Sequence, residues 1–161
     1  MPRIIEIVLI ALVTAAAWSD LWTRKIPNWI TVPGAAVGLA LQTWFGGFYG
    51  GLASLAGAGL GLAIFLVLYI ACGMGAGDVK LFTAIGALVG PQTVILVFVF
   101  TGLIGGIAAI ALAISRGRFR ETLEKAGALM RGTHAAASPD ALRLPYGAVI
   151  AGGTLVSLWF S

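Results

Sequence analysis

The sequence predicts an all-α, polytopic integral membrane protein with about six transmembrane helices. Three observations carry that expectation. Hydrophobic residues make up 60% of the 161 positions and charged residues only 10%, too few charges to clothe a water-soluble domain of this size. The apolar residues gather into runs, several of them close to the ~20 residues that a helix needs to cross a bilayer. Glycine, present 23 times, recurs at spacings of four in Gly34/Gly38, Gly57/Gly61, Gly86/Gly90 and Gly102/Gly106. Small residues four apart let helices approach closely in lipid. No phosphate-loop lysine accompanies them, so they read as packing seams.

The apolar segments run over about 4–20, 29–45, 51–72, 79–90, 92–114 and 144–160. Gly46–Gly51 is a short link between the second and third. Gly90-Pro91 marks a tight turn into the fifth. The fourth segment is short: its twelve residues rise only about 18 Å as a helix, so it is tilted, re-entrant or lengthened by its flanks. Arg3, the first apolar run and Ala15-Ala16-Ala17 imitate a secretory signal with its cleavage site. Glu6 within the run, bulky Trp18 after the alanines and Arg24-Lys25 beyond argue instead for a retained helix.

Lys and Arg orient the chain. Six crossings collect Arg24, Lys25, Lys80, Arg116, Arg118, Arg120, Lys125, Arg131 and Arg143 on one side and leave Arg3 on the other. By the positive-inside rule that side is the cytoplasm and the N-terminus is outside. In a membrane protein the placement of positive charge outweighs its net value of +4, and no nucleic-acid partner is expected. The lone Cys72 excludes a disulfide framework and reads as a small buried hydrophobe. The polar stretch at about 115–143 reads equally as an amphipathic helix on the inner leaflet, through Phe119, Leu123, Ala126 and Met130, or as a solvated connector. His134 within it has no ligand-like neighbours, and no metal is expected. One membrane-embedded domain spans 1–161.

Two aspartates stand out. Asp20 and Asp78 each end or begin an apolar run, and the topology drawn from Lys and Arg alone puts both at the cytoplasmic edge. Burying a carboxylate there costs free energy. Singly, each has a bland explanation, such as an N-cap for Asp78. Together they suit peptide hydrolysis: one ionised carboxylate takes a proton from water while its protonated neighbour hydrogen-bonds the scissile carbonyl. Two close carboxylates in a poorly hydrated site cannot both ionise, which supplies one base and one acid. Gly75 and Gly77 are expected to allow unusual backbone angles and close approach of a substrate main chain to Asp78.

These residues match a family. Gly75-Ala76-Gly77-Asp78 resembles the Gly-x-Gly-Asp motif of the type IV prepilin peptidases. Asp20, with Arg24, Lys25 and Ile26-Pro27-Asn28 downstream, is similar to that family's first aspartate and its Ile-Pro-Asn. Leu144-Pro145-Tyr146-Gly147 resembles the Pro-Phe/Tyr-Gly element that opens the last helix. The three elements occur in family order across nearly the whole chain. The resemblance implies a bacterial inner-membrane aspartyl endopeptidase of the presenilin-like kind, without cofactor, acting on prepilin-like substrates. It would cut their basic leaders after a glycine at the cytoplasmic face, with Asp20 and Asp78 as the catalytic pair. Longer members carry paired cysteine motifs and also methylate the new N-terminus. With Cys72 unpartnered, the expectation is the short, protease-only branch found with tight-adherence pili; archaeal preflagellin peptidases are close relatives.

Other roles stay open at this stage. Lys80 either tunes an aspartate, meets an acidic substrate group or anchors the boundary, the last being favoured. Tyr146 either packs or hydrogen-bonds near the aspartates, and Pro27-Asn28 most simply begins the second helix. Two rival functions use the same residues: a small proton-coupled transporter or channel, and a non-catalytic pilus-assembly scaffold. No inverted repeat supports the transporter.

Overall fold

A computed structural model describes residues 2–72, 74–115 and 146–159. The expected connector beyond Ser115, with His134, and the Leu144-Pro145 dipeptide lie outside the described residues. Four helices follow one another: α1 (Arg3–Thr23), α2 (Asn28–Cys72), α3 (Ala76–Ser115) and α4 (Tyr146–Leu158). No strand occurs among the described residues. The first three are long and apolar enough to cross a membrane.

Residues Ile5, Leu9, Leu12, Val13, Ala16 and Asp20 of α1 are buried. Their spacing of three and four draws one stripe along the helix, and Asp20 is its last member. The opposite face shows Ile4, Ile7, Ile10, Trp18, Leu21 and Trp22 to the outside. Apolar side chains on the inside and outside alike are what a lipid-facing helix carries.

A straight α2 of 45 residues would rise about 68 Å, roughly twice the hydrocarbon core. It does not run straight. Gly47 takes φ 58° and ψ −146°, backbone that a residue with a Cβ rarely adopts, and the chain doubles back there. A Cβ on Gly50 would strike the Gln42 carbonyl, and one on Gly51 would lie 2.9 Å from the Thr43 hydroxyl. Gly90 (φ 77°) breaks α3 in the same way, and Pro91 opens the next arm, where its missing N–H and fixed φ suit a first helical turn.

The first arm of α3 is the hub. Leu81, Phe82, Ala84, Ile85 and Leu88 are fully buried. The first arm of α2 lies parallel to it, with Gly38 against Ala87 and Leu88; the returning arm runs antiparallel, with Gly57 on Gly86 and Gly61 on Phe82. These contacts are backbone to backbone. A Cβ on Gly57 would fall 2.7 Å from a Gly90 main-chain carbon and also meet the Gly86 carbonyl. Phe65 stacks on Phe82 at 4.0 Å between ring centres, and Phe98 meets both edge-on. The twelve-residue fourth segment is therefore the start of a helix lengthened on its N-terminal side to Ala76.

The break at Gly90 leaves carbonyls without helical partners, because Pro91 offers no N–H to Ala87. Ser54 Oγ donates to the Ala87 carbonyl at 2.7 Å and Gln42 Nε2 to that of Leu88 at 2.8 Å. In lipid such groups must be satisfied within the protein. Two polar side chains of α2 thus have a structural task.

The glycine seams are real for Gly34, Gly38, Gly57, Gly61 and Gly86, whose added Cβ would meet a neighbour within 3.0 Å. Gly102 and Gly106 face open space, because α3 beyond Pro91 meets α4 through Thr101, Ile104 and Gly105 instead. That pair is not a seam.

Candidate active site

α1 ends at Thr23, and the chain turns through Arg24 in left-handed conformation (φ 51°, ψ 32°). The Arg24 amide donates to the Asp20 carbonyl at 2.8 Å. Ser19 Oγ and Thr23 Oγ1 both donate to the Lys25 carbonyl, at 2.9 and 3.2 Å. This tight connection brings Ile26 against the start of α3: a Cβ on Gly77 would stand 3.1 Å from Ile26 Cβ. Gly77 is thus a point of contact between two chain segments.

Asp78 enters α3 in its first turn, its amide donating to the Gly75 carbonyl at 3.0 Å. A Cβ on Gly75 would sit 3.0 Å from Asp78 Oδ2, so glycine leaves room for the carboxylate to fold back on its own loop. Positive φ among the described glycines is confined to Gly47 and Gly90. The expected unusual angles at Gly75 and Gly77 are not there. Both glycines act by absence of bulk.

Asp20 is held from the far end of the sequence. The Gly147 amide, in the first turn of α4, donates to Asp20 Oδ2 at 2.8 Å. A Cβ on Gly147 would lie 2.8 Å from Asp20 Cβ and 3.0 Å from its Cγ. The positive end of the α4 dipole lies at this bond.

Asp20 and Asp78 are 8% and 7% exposed, and both line one open cavity of about 290 Å³ with Arg24, Lys25, Ile26, Gly75, Ala76 and Gly77. Lys80 points elsewhere. It is exposed, and its ammonium donates to Asn28 Oδ1 at 2.9 Å, joining the start of α2 to the first turns of α3. Tyr146, half-buried, opens α4 one residue before the amide that meets Asp20.

Sequence reasoning placed the aspartates in one site and the structure brings them to one cavity. It missed the Gly147 amide, because a main-chain donor has no residue signature; the resemblance around Pro145-Tyr146-Gly147 was the signal that pointed there. It read Arg24 and Lys25 as topology markers and as part of the family's first motif without giving them a place in the site, whereas both line the cavity.

Three helices long and apolar enough to cross a membrane thus accompany two buried carboxylates that line one cavity. The chain belongs to the type IV leader peptidase family, whose model matches residues 7–110, a range that contains both aspartates. It is 30% identical over 119 residues to a prepilin leader peptidase/N-methyltransferase of Neisseria gonorrhoeae, a match covering 70% of this chain and 41% of that protein. The chain thus spans less than half the length of that relative. No solved structure matches it.

Proposed function

We propose that the chain is an aspartyl endopeptidase that removes the basic leader from prepilin-like proteins, with Asp20 and Asp78 as the catalytic pair. The observation that carries the reading is two buried carboxylates from different helices lining one cavity. One carboxylate, ionised, takes a proton from water as the oxygen attacks the scissile carbonyl carbon. The other, protonated, gives its proton to the carbonyl oxygen. The tetrahedral adduct then breaks its C–N bond: the first carboxyl returns its proton to the leaving nitrogen, the second recovers its own, and acid and amine are released. The pair ends as it began, sharing one proton.

About six crossings follow if each break reverses the chain across the bilayer. The arms of α2 rise roughly 28 and 37 Å, close to a ~30 Å core. Trp18, Trp22 and Trp29 lie exposed near the aspartates, while Trp44, Phe45, Phe48 and Tyr49 lie exposed around Gly47, as two interfacial belts would. Arg24, Lys25 and Lys80 at the aspartate end make it the cytoplasmic face. The substrate's apolar helix would rest in the bilayer and present an extended leader bond to the cavity, all within one membrane-embedded domain. The proposal is for cleavage, which the carboxylate pair supplies by itself, without methylation.

Co-expression with prepilins of the same genome tests this. Leader loss appears as a size shift, and Asp20→Asn or Asp78→Asn abolishes it, by about 10³-fold or more. Cleavage that survives either substitution sinks the catalytic assignment; no cleavage of any prepilin favours a transporter or scaffold. An unmethylated product N-terminus by mass spectrometry supports the protease-only branch.

A further inference from the structure

Arg24 and Lys25 line the cavity that holds the aspartates. Among the described residues neither cation makes a side-chain hydrogen bond or an ion pair, with Asp20, Asp78 or any other group. The remaining acid among the described residues, Glu6, lies near the opposite end of α1.

Arg24 is also where the local backbone favours a different residue. It occupies the left-handed position just past a helix C-terminus, where glycine is preferred because a Cβ is strained. Arg24 is the sole non-glycine with positive φ among the described residues. Strain of this kind at a site edge points from geometry toward function. The loop is otherwise well made, fixed by the Arg24 amide on Asp20 and by Ser19 and Thr23 on Lys25. Glycine at this position would form the same main-chain bonds without the strain. What it would lack is the guanidinium.

We propose that Arg24, assisted by Lys25, binds an acidic side chain of the substrate close to the scissile bond, and so selects substrates for charge. The proposal rests on the peptidase reading. A guanidinium grips a carboxylate in two parallel hydrogen bonds. From its own Cα the guanidinium reaches about 7 Å, the span of about two extended residues. Phospholipid phosphate is the competing anion, but Arg24 and Lys25 line the cavity that holds the aspartates, which favours an anion that enters it.

The test uses the purified chain in zwitterionic vesicles. Its substrate is a prepilin-like precursor with one glutamate moved through the nearby positions on either side of the cleaved bond, the glycine before that bond left in place. Each glutamate precursor is compared with its glutamine twin. At one position the glutamate form is expected to be cut about tenfold faster in kcat/KM, mainly through KM, the size of one charge-assisted contact. Arg24→Gly is expected to collapse that preference to within about twofold while leaving Tm unchanged or about 3 °C higher. Arg24→Lys keeps part of the preference. A wild-type chain indifferent to substrate charge at every position overturns the proposal, as does Arg24→Gly that keeps the preference. A rate that follows the anionic lipid content of the vesicles instead of the substrate's charge overturns it too. In each of these cases aspartate-dependent cleavage leaves the peptidase reading standing. Absence of any such cleavage overturns both.

Discussion

The two halves of the site are built in opposite ways. Asp78 is supported by its immediate neighbours: Gly75 makes room for its carboxylate and receives its amide, and the hub arm of α3 carries it on a fully packed base. Asp20 ends the buried stripe of α1 and is held by the amide of Gly147, 127 positions away. One half is a contiguous motif on a rigid arm. The other exists only once α1 and α4 have docked. The difference teaches where the site is tolerant and where it is brittle, because a local loop can adjust around a change while a long-range junction must keep two helices in register.

Gly147→Ala should do most to break the contrast. Its Cβ would meet Asp20 Cβ and Cγ, atoms close to the α1 main chain that cannot swing clear. A displacement near 1 Å at a catalytic group costs about 100-fold, and the predicted fall in leader cleavage is of that size. Gly75→Ala meets only the carboxylate tip of Asp78, which rotates, so about tenfold is expected. Equal losses, or a reversed order, in the same cleavage assay would erase the distinction between the two halves.

Smaller effects sharpen it. Lys80→Met and Asn28→Ala each remove one exposed hydrogen bond, worth about 1 kcal/mol or less. They should cost two- to threefold in rate and near-equal, non-additive losses in a double-mutant cycle. Lys80 acting directly in chemistry would give a far larger loss that Asn28→Ala does not share. Gly59→Ala is the baseline. Its Cβ meets nothing within 4 Å, so helix propensity alone applies, and a Tm rise of about 3 °C with unchanged cleavage is expected.

The same contrast explains what was legible in the sequence. Apolar runs and the Gly47 and Gly90-Pro91 breaks could be read because helix length and backbone chemistry are local. So could Asp78 with its glycines, as a motif, though not the reason for Gly75 and Gly77, which depends on where Asp78 Oδ2 and Ile26 come to rest. The Gly147 amide, the Lys80–Asn28 bond and the tasks of Ser54 and Gln42 at the α3 break required knowing which helices touch. Spacing alone made Gly102/Gly106 look like the other seams, and only packing tells them apart.

The central claim is that Asp20 and Asp78 of one chain act together on one peptide bond. The most direct measurement is cleavage of a purified prepilin by the purified chain in vesicles, with Asp20→Asn, Asp78→Asn and a mixture of the two. The account predicts cleavage by the unaltered chain and none, below about one part in 10³, by either variant or by their mixture, since neither supplies both carboxylates. Cleavage by a single variant, or restored by mixing them, would contradict it.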